Sequence, residues 1–220
     1  MRDNDPFVDW GWVFSHLDDI AVRTLEHVYL TAIAVAVGLI LAIGLSMVIV
    51  RDRRTMGPIT WTAGVLYTIP SLALFALLVP FTGLSVLTAE IGLVSYTLLI
   101  LIRNIVAGLD GVPAAAKEAA LGMGYTPRRI LWEVEVPLAL PVIVAGIRIA
   151  TVTTIGLVTV TSLIGQGGLG FFILQGLRRF FTTEIVVGTV LSVVLAVGLD
   201  LALVALERRL TPWVRAREAV

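Results

Sequence analysis

The sequence contains no cysteine, a single lysine and two histidines, and only 15% of its 220 residues are charged. The missing cysteines exclude disulfides, thiolate metal sites and a cysteine nucleophile. His16 and His27 are too few and too poorly placed for an imidazole metal centre, so no metal site is expected. The lone lysine, Lys117, stands outside any GxxxxGK(S/T) phosphate loop, and the chain therefore lacks the usual means of holding a nucleotide. No His/Asp/Glu constellation or nucleophile elbow points to a catalytic residue. The scarcity of charge decides the class. A soluble domain carries about 25% charged residues, so this chain has too few to cover a water-facing surface. Acidic and basic residues balance at 16 each, which gives no reason to expect nucleic acid as a partner.

What is present is apolar: 58% of positions are hydrophobic and the mean hydropathy is +0.97. Several runs approach the length that marks a membrane-spanning helix, and lipid is the expected surroundings. The first span is expected over about 28–50, stopped by Arg51-Asp52-Arg53-Arg54. The second follows Gly57-Pro58 over about 60–79, kinked at Pro70 and broken by Pro80 and Gly83. The third covers about 89–107, the fourth about 138–163 and the fifth about 185–206, where Glu207-Arg208-Arg209 ends it. The fold class is thus an all-α integral membrane protein with about five transmembrane helices. Residues 1–24 form an extracytoplasmic N-terminal segment, 25–210 the transmembrane domain and 211–220 a cytoplasmic tail. The opening segment is acidic and has no basic start before a short apolar core, so the first span is expected to act as its own insertion signal.

Basic residues choose the orientation. With the tail and the 111–137 stretch inside, eleven basic side chains are cytoplasmic: Arg51, Arg53, Arg54, Arg103, Lys117, Arg128, Arg129, Arg208, Arg209, Arg215 and Arg217. Four lie outside: Arg2, Arg23, Arg178 and Arg179. The N-terminus is therefore expected outside and the C-terminus in the cytoplasm.

The stretch 111–137 is far longer than a connection between spans requires. Ala114 to Met123 has helix-forming composition, and Gly122 and Gly124 end it. Thr126-Pro127 reads as an N-cap followed by proline at the first helical position. Ile130, Leu131 and Val134 give the second short helix an apolar face, and Pro137 is expected to start the next span. From composition alone, such a pair either lies on the lipid surface or docks a cytoplasmic partner.

Residue identities narrow this further. Glu118-Ala119-Ala120, three residues, Gly124, nine residues, then Val134-Glu135-Val136-Pro137 resembles the EAA motif of binding-protein-dependent ABC importers. The departures are Val134 and Val136, where that pattern has isoleucine and leucine. The resemblance implies a MetI-like permease fold in which 111–137 is a cytoplasmic coupling-helix loop. It implies that Glu118, Ala119, Ala120, Gly124, Val134, Val136 and Pro137 meet an ABC ATPase dimer that binds ATP and magnesium, while this chain binds no cofactor. The expected partners are that ATPase, a second permease copy (identical or paralogous) and an extracytoplasmic substrate-binding protein. Further segments are similar to the osmoprotectant importers for glycine betaine, choline and carnitine: Thr68-Ile69-Pro70-Ser71-Leu72, Arg103-Asn104, Pro137-Leu138-Ala139-Leu140-Pro141, Ala145-Gly146-Ile147-Arg148 and Ile164-Gly165-Gln166-Gly167-Gly168-Leu169-Gly170. Gln166 stands where such relatives usually have alanine.

The candidate translocation path and gate takes in Pro70, Ser71, Thr151, Thr154, Thr161, Gly165, Gly167, Gly168 and Gly170. The hydroxyls, with Ser162, fall near one helical stripe; they line a path for a small zwitterion or bond back to their own helix. Trp61, Tyr67 and Tyr96 offer cation–π faces or serve as interfacial anchors. The glycine-rich segment reads as a flexible element of the external gate or as a short re-entrant loop, with Arg178 and Arg179 facing a binding protein or solvent. Arg148 and Asp200 are taken as the charges inside spans, at depths of about 16 and 10 Å from the cytoplasmic ends, and are expected to pair or to share a polar cavity. Alternatives are a permease of the same superfamily for methionine or another amino acid, a secondary transporter or channel, and a membrane-embedded enzyme.

Overall fold

The computed structural model describes residues 7–213. Arg2, Asp3, Asp5, Arg215 and Arg217, which entered the charge and topology arguments, lie outside the described residues. The chain runs through α1 (Trp10–Ser15), α2 (Leu17–Arg51), α3 (Met56–Thr68), α4 (Ser71–Thr82), α5 (Val86–Asp110), α6 (Ala114–Gly122), α7 (Pro127–Ile130), α8 (Val136–Val160), α9 (Gly170–Arg179) and α10 (Thr182–Leu210), and no strand occurs among the described residues. Among the described residues four segments are long and apolar enough to cross a membrane, and the α3–α4 pair makes a fifth if it is taken as one bent span.

The first two spans differ from expectation. α2 has 35 residues and starts eleven positions earlier than 28, because Asp18 and Asp19 occupy its first turn, where the helix dipole favours acidic groups. At 1.5 Å per residue it is about 52 Å long, well beyond a hydrocarbon layer of about 30 Å. The second span is not kinked but broken: α3 and α4 meet at 96°. Pro70 keeps Ile69 extended (φ −64°, ψ 127°), as the residue before proline prefers. The carbonyl of Ile69, freed from helical bonding, accepts the Tyr96 hydroxyl of α5. Pro80, by contrast, sits inside α4, and it is Gly83 at φ 71° that ends the helix.

α5 is the axis of the bundle. Leu101, Ile102, Ile105, Val106 and Leu109 pack with Ala42 and Ile49 of α2, Ala63 of α3, and Ala139 and Ala150 of α8. A second cluster joins Leu93 of α5 to Leu30 and Ala34 of α2, Phe75 of α4 and Val158 of α8. Small residues set the spacing, as expected where no hydrophobic drive separates helix from lipid. A Cβ on Gly38 would strike Thr97, one on Gly92 would strike Phe75, and one on Gly146 would strike Asn104. Of the four long spans α10 is the least embedded, burying only Thr183, Glu184 and Gly188.

Candidate coupling surface and translocation elements

α6 and α7 form a hairpin between α5 and α8, built from local signals. Gly124 takes φ +81°, a conformation favouring glycine. Its N–H bonds Leu121 O at 2.9 Å and the Tyr125 N–H bonds Ala120 O at 3.1 Å, the paired closure of a Schellman turn. Thr126 then caps α7 by accepting the Arg129 N–H at 3.3 Å. Ala120 and Ile130 are buried within the hairpin, whereas Glu118, Ala119, Leu121 and Met123 are exposed. Lys117 Nζ lies 3.2 Å from Glu135 Oε1, which ties α6 to the base of α8.

Pro137 does not begin the following span. The helix runs on from Pro127 to Ile164 through a π-helical turn at Leu131–Glu135, where the Val136 N–H reaches back to Leu131 O. The wider turn accommodates a proline that lacks an N–H and crowds the preceding carbonyls. Val134, Val136 and Pro137 are half-buried along this continuous rod. Arg53 pairs with Asp110 at the same end, joining the connection after α2 to the end of α5.

The glycine-rich segment lies at the opposite end of α8, and it is pinned. Gly165, Gly167 and Gly168 all have positive φ (82°, 124° and 48°). Glu26 Oε1 accepts the Gly167 N–H at 3.2 Å, and His27 Nδ1 accepts the Leu169 N–H at 3.3 Å. The other ring nitrogen of His27, Nε2, donates to Ile155 O at 3.0 Å, so both nitrogens are engaged in the tautomer carrying hydrogen on Nε2. Gly168 packs so tightly on His27 and the Arg23 carbonyl that a Cβ would meet them at 2.6–2.7 Å, and Gly170 abuts the backbone of Thr159. Glu26 and His27 were not recognised from sequence as partners of this segment. They lie 141 and 142 residues from the groups they hold.

The hydroxyl stripe turns inward. Thr151, Thr154 and Thr161 are buried and donate to Ile147 O, Ala150 O and Val158 O of their own helix at 2.7–2.8 Å. Ser162 likewise donates to Thr159 O at 2.7 Å. Pro70 is exposed and Ser71 half-buried at the α3–α4 break. Tyr67 and Tyr96 meet edge to face at 5.9 Å beside that break, and Trp61 is exposed. Arg148 and Asp200 meet: Nε donates to Oδ1 at 2.8 Å and Nη2 to Oδ2 at 3.0 Å, with Glu207 Oε2 3.6 Å from Arg148 Nη1. They are not the sole charges inside spans. Glu90, one helical turn into α5, has both carboxyl oxygens buried and without a hydrogen-bond partner among the described residues. Its position in an apolar run was the available signal.

A lipid-embedded bundle that offers a stiff, exposed hairpin at one end and a pinned glycine segment at the other has the architecture of a transport permease. Residues 32–215 match the model described as "Binding-protein-dependent transport system inner membrane component", and the chain belongs to that family. It is 38% identical over 194 residues to the choline transport system permease protein OpuBB of Bacillus subtilis, covering 88% of this chain and 89% of that one. It is also 38% identical over 199 residues to the osmoprotectant import permease protein OsmW of Salmonella typhimurium, covering 88% and 92%. A methionine ABC transporter, MetNI, in an inward-facing conformation shares the fold with a TM-score of 0.78 at 21% sequence identity, covering 90% of this chain and 98% of that one.

Proposed function

We propose that this chain is the membrane-spanning subunit of an ABC importer that moves small quaternary-ammonium osmoprotectants such as glycine betaine, choline or carnitine. The carrying observation is 36–38% identity, along 88% of the chain, to permeases named for choline, for glycine betaine/carnitine/choline, for osmoprotectant and for carnitine. ATP is hydrolysed by a partner dimer gripping the α6–α7 hairpin. The rigid Schellman turn, the exposed Glu118, Ala119, Leu121 and Met123, and the unbroken helix from Pro127 into the bundle suit that hairpin to a lever. Closure of the partner moves α8, whose far end carries the pinned Gly165–Gly170 segment. Two permease copies line the path, and a binding protein delivers solute at the glycine-rich end. Arg51, Arg53, Arg54, Arg128 and Arg129 gather at the hairpin end, which supports a cytoplasmic hairpin and an external start of α2.

The test is reconstitution with the ATPase and the binding protein, measuring which solute stimulates ATP hydrolysis and uptake. Stimulation by glycine betaine, choline or carnitine is expected. Stimulation by methionine alone would move the chain to the amino-acid branch.

A further inference from the structure

At the glycine-rich end, α1 is held in place from several sides. Asp9 accepts the Trp12 N–H at 3.1 Å, and its own N–H donates to Thr183 Oγ1 at 2.9 Å, at the start of α10. His16 stacks on Trp12 with ring centres 4.4 Å apart. Trp12 thereby meets Phe172 at 6.0 Å and Phe181 at 5.7 Å, both nearly perpendicular. These contacts border a half-open cavity of about 330 Å³ between α1, the start of α2, α9 and the start of α10. It falls within the range of small-molecule sites, about 300–1,000 Å³.

Aromatic surface and charge of both signs meet in its lining. Trp12, Phe171 and Phe172 supply rings, Asp19 and Glu184 negative charge, and Arg23 and Arg179 positive charge. The aromatic wall already attracts a cation, since the Arg23 guanidinium carbon lies 4.0 Å from the centre of the Phe171 ring. Glu184 is the telling residue. It is only 2% exposed, its Oε1 lies 3.7 Å from Arg179 Nη1, and its Oε2 has no hydrogen-bond partner among the described residues. A buried carboxylate oxygen without a donor is costly, and a nearby cation offsets that cost. A quaternary ammonium has no N–H to donate; it is held by negative charge and by aromatic surface, the two features supplied here.

We propose that this cavity binds a small zwitterion carrying a methylated ammonium group. The ammonium sits by the Trp12 and Phe172 rings within the field of Glu184 and Asp19, and the ligand's carboxylate faces Arg23 or Arg179. Naming the ligand rests on the osmoprotectant function proposed above. The site adjoins the pinned glycine segment through Arg23, whose carbonyl packs on Gly168, and so forms a waiting position at the mouth of the path.

The experiment uses the assembled transporter in lipid nanodiscs without its binding protein, dialysed against radiolabelled glycine betaine. The competitor is 3,3-dimethylbutyrate, which keeps the shape and the carboxylate but lacks the positive charge. Saturable binding is expected, weakened about tenfold by Glu184→Gln and by Asp19→Asn and not displaced by the competitor. Asp19 is exposed, so its replacement leaves folding intact even if that of Glu184 does not. The proposal is overturned by absent saturable binding in a preparation whose ATPase responds to betaine-loaded binding protein. It is also overturned by binding unchanged in both variants, or by equal displacement by the uncharged-head competitor. An ATPase that ignores betaine-loaded binding protein but responds to another solute overturns the transport function itself, and with it the ligand named here.

Discussion

Arg148 of α8 and Asp200 of α10 are joined by two parallel hydrogen bonds, at 2.8 and 3.0 Å, and each side chain remains about 30% exposed. α10 buries no residue beyond Gly188, so this fork, aided by Glu207, is the main polar tie of its second half to the bundle. Removing Asp200 leaves the Arg148 charge with only the longer Glu207 contact, at 3.6 Å, beside lipid. Asp200→Asn should therefore loosen α10, read as a lowered unfolding temperature in detergent. The exchange Arg148→Asp with Asp200→Arg should recover part of the loss. Unchanged melting in the single variant would show that α10 is held by packing alone.

The hairpin makes a separable prediction. Glu118 is exposed and Gly124 has positive φ, so Glu118→Lys with Gly124→Val alters the surface and the turn without touching the bundle core. The protein should insert normally but lose its ATPase partner on co-purification, and solute uptake should fall with it. Retained partner and retained uptake would refute the coupling role of the hairpin.

His27 serves two backbone groups at once, and a smaller apolar side chain serves neither. His27→Ala should leave the Leu169 N–H unsatisfied and remove the second bond to the Ile155 carbonyl, which keeps its helical partner, at a cost of about 1–3 kcal/mol for the one orphaned group. Faster hydrogen exchange across 165–170, measured by mass spectrometry, should accompany reduced uptake. Protection equal to wild type would mean that the glycine segment is held without the imidazole.

Tyr96→Phe isolates the broken span. It removes only the hydroxyl that the Ile69 carbonyl accepts, leaving the ring against Tyr67. A loss of about 1–2 kcal/mol is expected, with weaker protection at the α3–α4 break. An unaltered protein would indicate that water or lipid headgroups satisfy that carbonyl as well.

The parts legible in advance were those governed by neighbours in the chain. The hairpin was readable because Gly124 and Thr126-Pro127 act within one turn of where they stand, and α5, α8 and α10 because hydropathy accumulates along a helix. Pro70 was read as a kink rather than a break, since its outcome depends on whether another helix can take the Ile69 carbonyl, and Tyr96 lies 27 residues away. Thr151, Thr154 and Thr161 were read as sharing a stripe, but only packing decided that they are buried rather than open to a path.

By itself the sequence determined the solvent, the spans of α5 and α10 and the hairpin, because apolar runs, caps and glycine turns exert their energies locally. The tertiary structure alone decided how Glu26 and His27 hold Gly167 and Leu169, that Arg148 and Asp200 pair directly rather than only share a cavity, and that Glu184 lines an aromatic cavity with Trp12. Those contacts join residues from 52 to more than 140 positions apart, and their formation depends on helix packing, which no local preference encodes.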